Sequence, residues 1–442
     1  MRHVGYWVGW AAITLMASAY LAAVLTTETV GTRTMFVPGR TTSGHHQIEL
    51  ACSSCHTPFA GVTNDACLAC HGEELAAAND SHPRAKFTDP RNADLLARLD
   101  ATACVTCHAE HAPERTRAMG VTVPDDVCWT CHAEIGRERP SHEGMAFDTC
   151  ASAGCHNYHD NTALYEDFLI AHAGDPALAA DPRVAWPRPM PAPRTLPSLP
   201  ADAPASLAID ASTRAAWEAT SHARAGVNCT GCHSAPAADA GAAGWIDAPG
   251  VRACAVCHDA EAEGFPGGRH GMRLAVGLSP MTTTLARQPM KAAASGRTLT
   301  CGSCHQAHDF ETRRAAVDAC LLCHDDRHSA AFVGSPHHRL WQRESAGEAP
   351  VGTGVSCATC HMPRHARREG GADTPFVQHN QNANLRPNDK MLRTVCLDCH
   401  GLAFALDALA DPGLVDANFT GHPRASVASI EMAARRATTT SD

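Results

Sequence analysis

The chain has 442 residues, of which 44 % are hydrophobic and only 5 % aromatic, and a formal charge of −10 at pH 7. Its 22 cysteines and 28 histidines exclude an ordinary cytoplasmic enzyme, which does not carry free thiols at that density. In chain order, Val4 to Leu25 comes first, 22 residues without a charge and long enough to cross a bilayer. It reads as an uncleaved anchor. The rival is a cleaved signal peptide ending near Ala17-Ser18-Ala19, but the apolar run continues past that point. Arg2 on the short leading side fits a cytoplasmic N-terminus, and Trp7, Trp10 and Tyr20 suit the membrane interfaces.

After this segment C-x-x-C-H occurs ten times. The first four are Cys52-Cys55-His56, Cys67-Cys70-His71, Cys104-Cys107-His108 and Cys128-Cys131-His132. Cys229-Cys232-His233, Cys254-Cys257-His258, Cys301-Cys304-His305 and Cys320-Cys323-His324 follow, then Cys357-Cys360-His361 and Cys396-Cys399-His400. The spacing suits covalent haem c, in which two thioether bonds hold the vinyl groups and the next residue, His, falls under the iron as proximal ligand. Disulfides, zinc ribbons and CxxC redox pairs also use paired cysteines, but none requires a histidine immediately after the second. Ten such histidines by chance have a probability on the order of 10^-12.

The two remaining cysteines are Cys150 and Cys155, in CASAGCHNYHD, with His156 following. Four residues separate them instead of two. Counting them as an eleventh site accounts for every cysteine, and His159 stands three residues after His156, as His111 does after His108 and His308 after His305. Eleven haems leave about 40 residues each, too few for an ordinary core, so the porphyrins must supply much of the buried apolar surface and the apoprotein is expected to be largely unfolded. With propionates and iron included, the charge becomes about −21 oxidised and about −32 reduced. That argues against nucleic acid and for a basic redox partner or metal cations. Covalent haem is attached outside the cytoplasm in bacteria, so the haem-bearing chain is expected in the periplasm.

From Gly174 to Ser206 nine prolines accumulate with no motif nearby, an extended, semi-rigid stretch. It is either a linker or a strap over haem faces. The organisation predicted is an anchor or signal peptide over 1–27, a five-haem domain over 28–173, the proline-rich segment over 174–206 and a six-haem domain over 207–442. ADLLARLDATACVTCH and LAIDASTRAAWEATSH each read as a short helix leading to a motif, and no segment sustains β alternation. The fold class predicted is mainly α with much irregular structure, packed around haems, with little or no β-sheet. CVTCHAEH is followed by CWTCH after 24 residues and CGSCHQAH by CLLCH after 19, doublets that suggest stacked two-haem modules.

Seventeen histidines lie outside the motifs, and with His3 ahead of the membrane segment sixteen remain for eleven sixth coordination positions. The distal ligands chosen are His45, His82, His111, His142, His159, His172, His222, His270, His308, His337 and His379, with His46, His328, His338, His365 and His422 in reserve. Sequence does not match any of them to a particular haem. Met119, Met145 and Met272 are the alternatives. Bis-histidine ligation implies comparatively low potentials and no vacant iron position.

The CHxxH offsets and the C-x4-C-H site make the first half resemble the cytochrome c3 and c7 group of electron carriers. WEATSHARAGVNCTGCH (Trp217 to His233) and GVSCATCHMPR (Gly354 to Arg364) are similar to motifs of the superfamily that includes cytochrome c nitrite reductase, hydroxylamine oxidoreductase and octahaem tetrathionate reductase. That resemblance implies a distal-ligand role for His222. The C-x-x-C-K site of common nitrite reductases is absent, and Tyr158 and Tyr165 are the only tyrosines beyond the anchor for a hydroxylamine oxidoreductase-type cross-link. QHNQNANLRPNDK (Gln378 to Lys390) reads as a solvated loop carrying one ligand, rather than a pocket lining.

The expectation is therefore a membrane-anchored, periplasm-facing undecahaem cytochrome c relaying electrons between redox partner proteins, without a catalytic residue of its own. The alternatives are an oxidoreductase with one five-coordinate haem acting on a small nitrogen or sulfur compound, and a haem-rich subunit of a larger membrane complex or filament.

Overall fold

The motifs themselves nucleate short helices. In three of them the residue before the first cysteine is Asn, Thr or Ser, and its side chain caps the turn that follows. Asn228 caps Cys229–His233, and Thr300 and Ser356 form reciprocal capping boxes at Cys301–His305 and Cys357–His361. In a helical turn the residues at i, i+3 and i+4 share one face, so both cysteines and the histidine are presented together.

The computed structural model describes residues 2–26, 37–79, 82–145, 156–160, 165–184, 199–234, 244–369, 372–385 and 388–439. About 52 % of it is helix and only 5 % strand, the mainly α, irregular fold expected from the sequence. The expected helices are present at Ala93–Arg98 and Cys104–Cys107, and at Ala211–Glu218 and Ser221–Arg224. The N-terminal helix Arg2–Thr26 contains Val4–Ala23, long and apolar enough to cross a membrane, with mean hydropathy 1.3. A signal sequence has the same character.

Strand is confined, among the described residues, to two antiparallel pairs and a few isolated bridges. β1 (His56–Thr57) pairs with β2 (Gly61–Val62), and β3 (Arg364–Glu369) with β4 (Ala372–Val377) in a register running from Arg364↔Val377 to Glu369↔Ala372. The second hairpin departs from the sequence reading. Its strand RHARRE carries no apolar alternation because the ribbon has no core face to mark; the ladder and the ion pair of Arg367 with Asp259 (3.2 Å) hold it.

The chain divides into two compact units, residues 1–69 with 87–124, and residues 70–86 with 125–442. In the first, Asn64 clamps a motif by donating to Thr102 O (2.7 Å) and accepting from Cys104 N (3.1 Å). Its Glu110 accepts from both the backbone and the hydroxyl of buried Thr42. The second unit contains an apolar core of ordinary kind. Leu169, Met391, Leu392, Leu402, Leu406, Val427 and Ile430 pack together from the helices Glu166–His172, Met391–Thr394, Leu402–Ala410 and Ala428–Thr439.

The described ends of the proline-rich segment are tied to motifs. Ala179 N donates to Cys399 O (2.8 Å), Arg183 N to Asp398 O (3.2 Å) and the ring of His400 to Ala177 O (2.9 Å). At the other end Asp202 accepts from Thr230 N, and Asn228 donates to Pro200 O. Gly401 permits the first contact, since a Cβ there would lie 2.4 Å from Pro176 O and 2.9 Å from Asp175 O. Gly401→Ala is expected to cost about 1–3 kcal/mol and to speed limited proteolysis of residues 175–184 at unchanged haem content. An unaltered cleavage rate would show that these bonds do not hold the segment.

Candidate haem and axial-ligand sites

Twenty of the cysteines lie in described residues and none of these is disulfide-bonded. Cys150 and Cys155 lie outside the described residues, but His156, which completes their motif, is inside them.

The histidine rings form pairs. His56 faces His111 with ring centres 6.5 Å apart, His132 faces His82 at 6.0 Å, and His156 faces His142 at 6.3 Å. In the later motifs His233 faces His308 at 5.9 Å, His258 faces His222 at 5.9 Å, and His305 faces His379 at 6.2 Å. His324 faces His270 at 6.2 Å, His361 faces His328 at 5.9 Å, and His400 faces His337 at 6.3 Å. Each pair joins a motif histidine to one outside the motifs. Two imidazoles on opposite sides of one iron, each with a metal–nitrogen bond of about 2 Å, have ring centres about 6 Å apart. The residues present therefore fit haem with histidine on both faces.

Ring tautomers agree with that fit. The Nδ1–H groups of His82, His111, His233, His379 and His400 donate to the backbone oxygens of Tyr158, Gly39, Ile246, Val377 and Ala177 at 2.7–2.9 Å, and His328 donates to Val415 O at 2.5 Å. Such a bond places the proton on Nδ1 and leaves Nε2 unprotonated, the form that ligates a metal; the Nε2 of His328 also lies 3.2 Å from the Asn418 amide. Burial, with a smaller contribution from the facing histidine, pushes His270, His337 and His361 down to about 4, so these rings are neutral. His338 is the opposite case. Its Nδ1 accepts from Gly334 N (3.0 Å), so Nε2 carries the proton and is not a donor to iron.

The pairing joins distant parts of the chain. The histidines three residues after a motif do not face their own motif: His111 reaches His56, and His308 reaches His233. Both adopt left-handed backbone, φ +59° and +65°, and Gln306 and Phe310 beside His308 do so too. Each such residue costs about 1–2 kcal/mol, so the turn directs the ring at a local cost. His328, a reserve in the sequence reading, faces His361. Of the other choices, His45 bonds Glu110, His159 lies edge-on to Tyr158, and His172 donates to Asp175 (2.8 Å) while resting on Phe168. The nine pairs do not include His71 or His108. His71 lies 3.7 Å from Glu74, whose other oxygen meets Lys390, and His108 is near Gly120 O at 3.3 Å. Among the remaining reserves, His46 bonds Ser43 O, His365 lies against Phe376 and His422 against Phe404.

Three further features carry no motif signal. Tyr158 stacks on His82 with centres 4.1 Å apart and planes 5° apart. Trp245 stacks on His233 at 4.5 Å. The segment read as a solvated loop instead forms the helix Gln381–Leu385, with Asn384 buried, donating to Cys360 O and accepting from Thr394. Asparagine-rich composition looks solvent-seeking, but here it satisfies backbone beside a motif.

In the second unit successive motifs are in contact. The thiol of Cys232 lies near those of Cys254 and Cys257, that of Cys254 near Cys301, Cys304 near Cys320 and Cys323, Cys320 near Cys357, and Cys360 near Cys396 and Cys399. Six motifs thus form an unbroken series.

Residues 44–133 match the cytochrome c3 family. The matched stretch contains four motifs together with His45, His82 and His111, and the match supports a multihaem cytochrome c with covalently bound c-type haem, electron transfer as its chemistry and redox proteins as its partners. No curated protein and no solved structure matches the chain.

Proposed function

We propose that this multihaem cytochrome carries eleven c-type haems on the cysteine pairs named above and relays single electrons along them. The chain is anchored in the cytoplasmic membrane by Arg2–Thr26 and its haem-bearing part faces the periplasm. Bound haem supplies the one-electron iron couple, and the protein supplies ligands, spacing and surroundings. Each facing pair of rings provides both axial nitrogens, with backbone carbonyls orienting the rings and burial keeping them neutral.

The observation that carries the reading is the series from Cys229 to Cys399, in which every motif histidine has a second ring opposite it. Six consecutive irons held by these ring pairs would have no position left for a substrate, and motifs whose cysteines lie side by side would keep neighbouring porphyrins close. Both properties suit conduction.

Haem content and electron paramagnetic resonance of the oxidised protein test it together. Eleven haems per chain with only low-spin ferric signals are expected. A stoichiometric high-spin signal that changes on adding nitrite or hydroxylamine would replace the relay with an oxidoreductase.

A further inference from the structure

In six rings of the facing pairs the Nδ1–H meets a neutral backbone oxygen. His45 differs: its Nδ1 lies 2.5 Å from Glu110 Oε1, with the ring 34 % and the carboxylate 26 % exposed. The same carboxylate accepts from Thr42 N at 2.7 Å and Thr42 Oγ1 at 2.9 Å, and Thr42 is itself buried. Among the described residues no lysine or arginine pairs with Glu110.

Other carboxylates near histidines are weaker cases. Glu74 is 3.7 Å from His71 and its charge is offset by Lys390. Asp175 and His172 are about 40 % exposed, so water screens them. Asp326 stands 3.5 Å from His324 and is engaged by Ser329. Glu110 combines a short bond to a ring nitrogen with a fixed set of further donors, and among the described residues no cation offsets its charge.

A carboxylate that takes up the Nδ1 proton of an imidazole makes Nε2 a stronger electron donor, and a stronger donor favours the ferric over the ferrous state. We infer that Glu110 is a positioning residue that lowers the reduction potential of one haem, by holding His45 as an unusually electron-rich axial ligand. The inference rests on the reading of His45 as a ligand. In the relay the iron served by His45 is then a low-potential station.

Glu110→Gln in the full haem-loaded chain tests this, because the amide oxygen still accepts from His45 and Thr42 while the charge is gone. At unchanged haem content, one wave of the redox titration is expected to move upward, and the ferric resonance of one low-spin haem is expected to change its g values. No movement of any wave overturns the inference. Several waves rising together with unaltered g values also overturns it, since that is a field effect acting through space. His45→Ala separates the premise. One new high-spin, carbon monoxide-binding haem supports ligation by His45, whereas an entirely low-spin variant refutes ligation and the inference with it.

Discussion

His308→Ala is expected to turn one haem high-spin and able to bind one equivalent of carbon monoxide per chain, and that haem should be the one on Cys229 and Cys232. His308 lies three residues after His305, so the haem of Cys301 and Cys304 is the rival assignment. The structure instead turns the chain through left-handed residues at Gln306, His308 and Phe310 and sets the His308 ring 5.9 Å from His233, nearly parallel to it at 13°. His305 has His379 opposite. A triple variant decides between the two assignments. Adding Cys229→Ser and Cys232→Ser removes the haem that His308 is proposed to serve, so the high-spin signal should vanish along with one haem. If the signal persists, His308 belongs to the haem of Cys301 and Cys304 and the cross-motif pairing is wrong.

Leu402→Ala is expected to be the most destabilising single change, at about 2–5 kcal/mol. Leu402 is fully buried at the start of the helix that follows the last motif, and it packs in the core with Leu169, Leu392 and Leu406. This cluster is protein packed against protein, so truncation leaves a cavity. Chemical denaturation followed by circular dichroism reads the loss. Leu402→Met should cost less than about 1.5 kcal/mol. Equal losses for both variants would mean that the cluster is loosely packed.

Local features are legible in the sequence, and long-range ones are not. The attachment triplets announce themselves because cysteine, cysteine and histidine must share one helical face, a constraint spanning five residues. The helices at Ala93–Arg98 and Ala211–Glu218 are readable for the same reason. Ring partnership is different, because it joins residues up to 75 positions apart and histidine looks the same whether it faces a motif or a carboxylate. Hence the sequence holds His328 only in reserve, although its ring faces His361, and matches neither His45, His159 nor His172 to a particular motif. The β3–β4 hairpin and buried Asn384 escaped because polar residues in them satisfy backbone and charge rather than mark a core.

The crossing of His308 to His233 also imposes an order in time. His308 lies 75 residues beyond His233, which at about 5–20 residues per second of synthesis is a delay of about 4–15 s. In the proposed pairing, a haem attached at Cys229 and Cys232 during export would wait that long with one face open to water, oxygen or the wrong histidine. The His308→Ala chain is a permanent copy of that transient state. Its high-spin centre would therefore report what the cell's maturation apparatus must shield while the rest of the chain arrives.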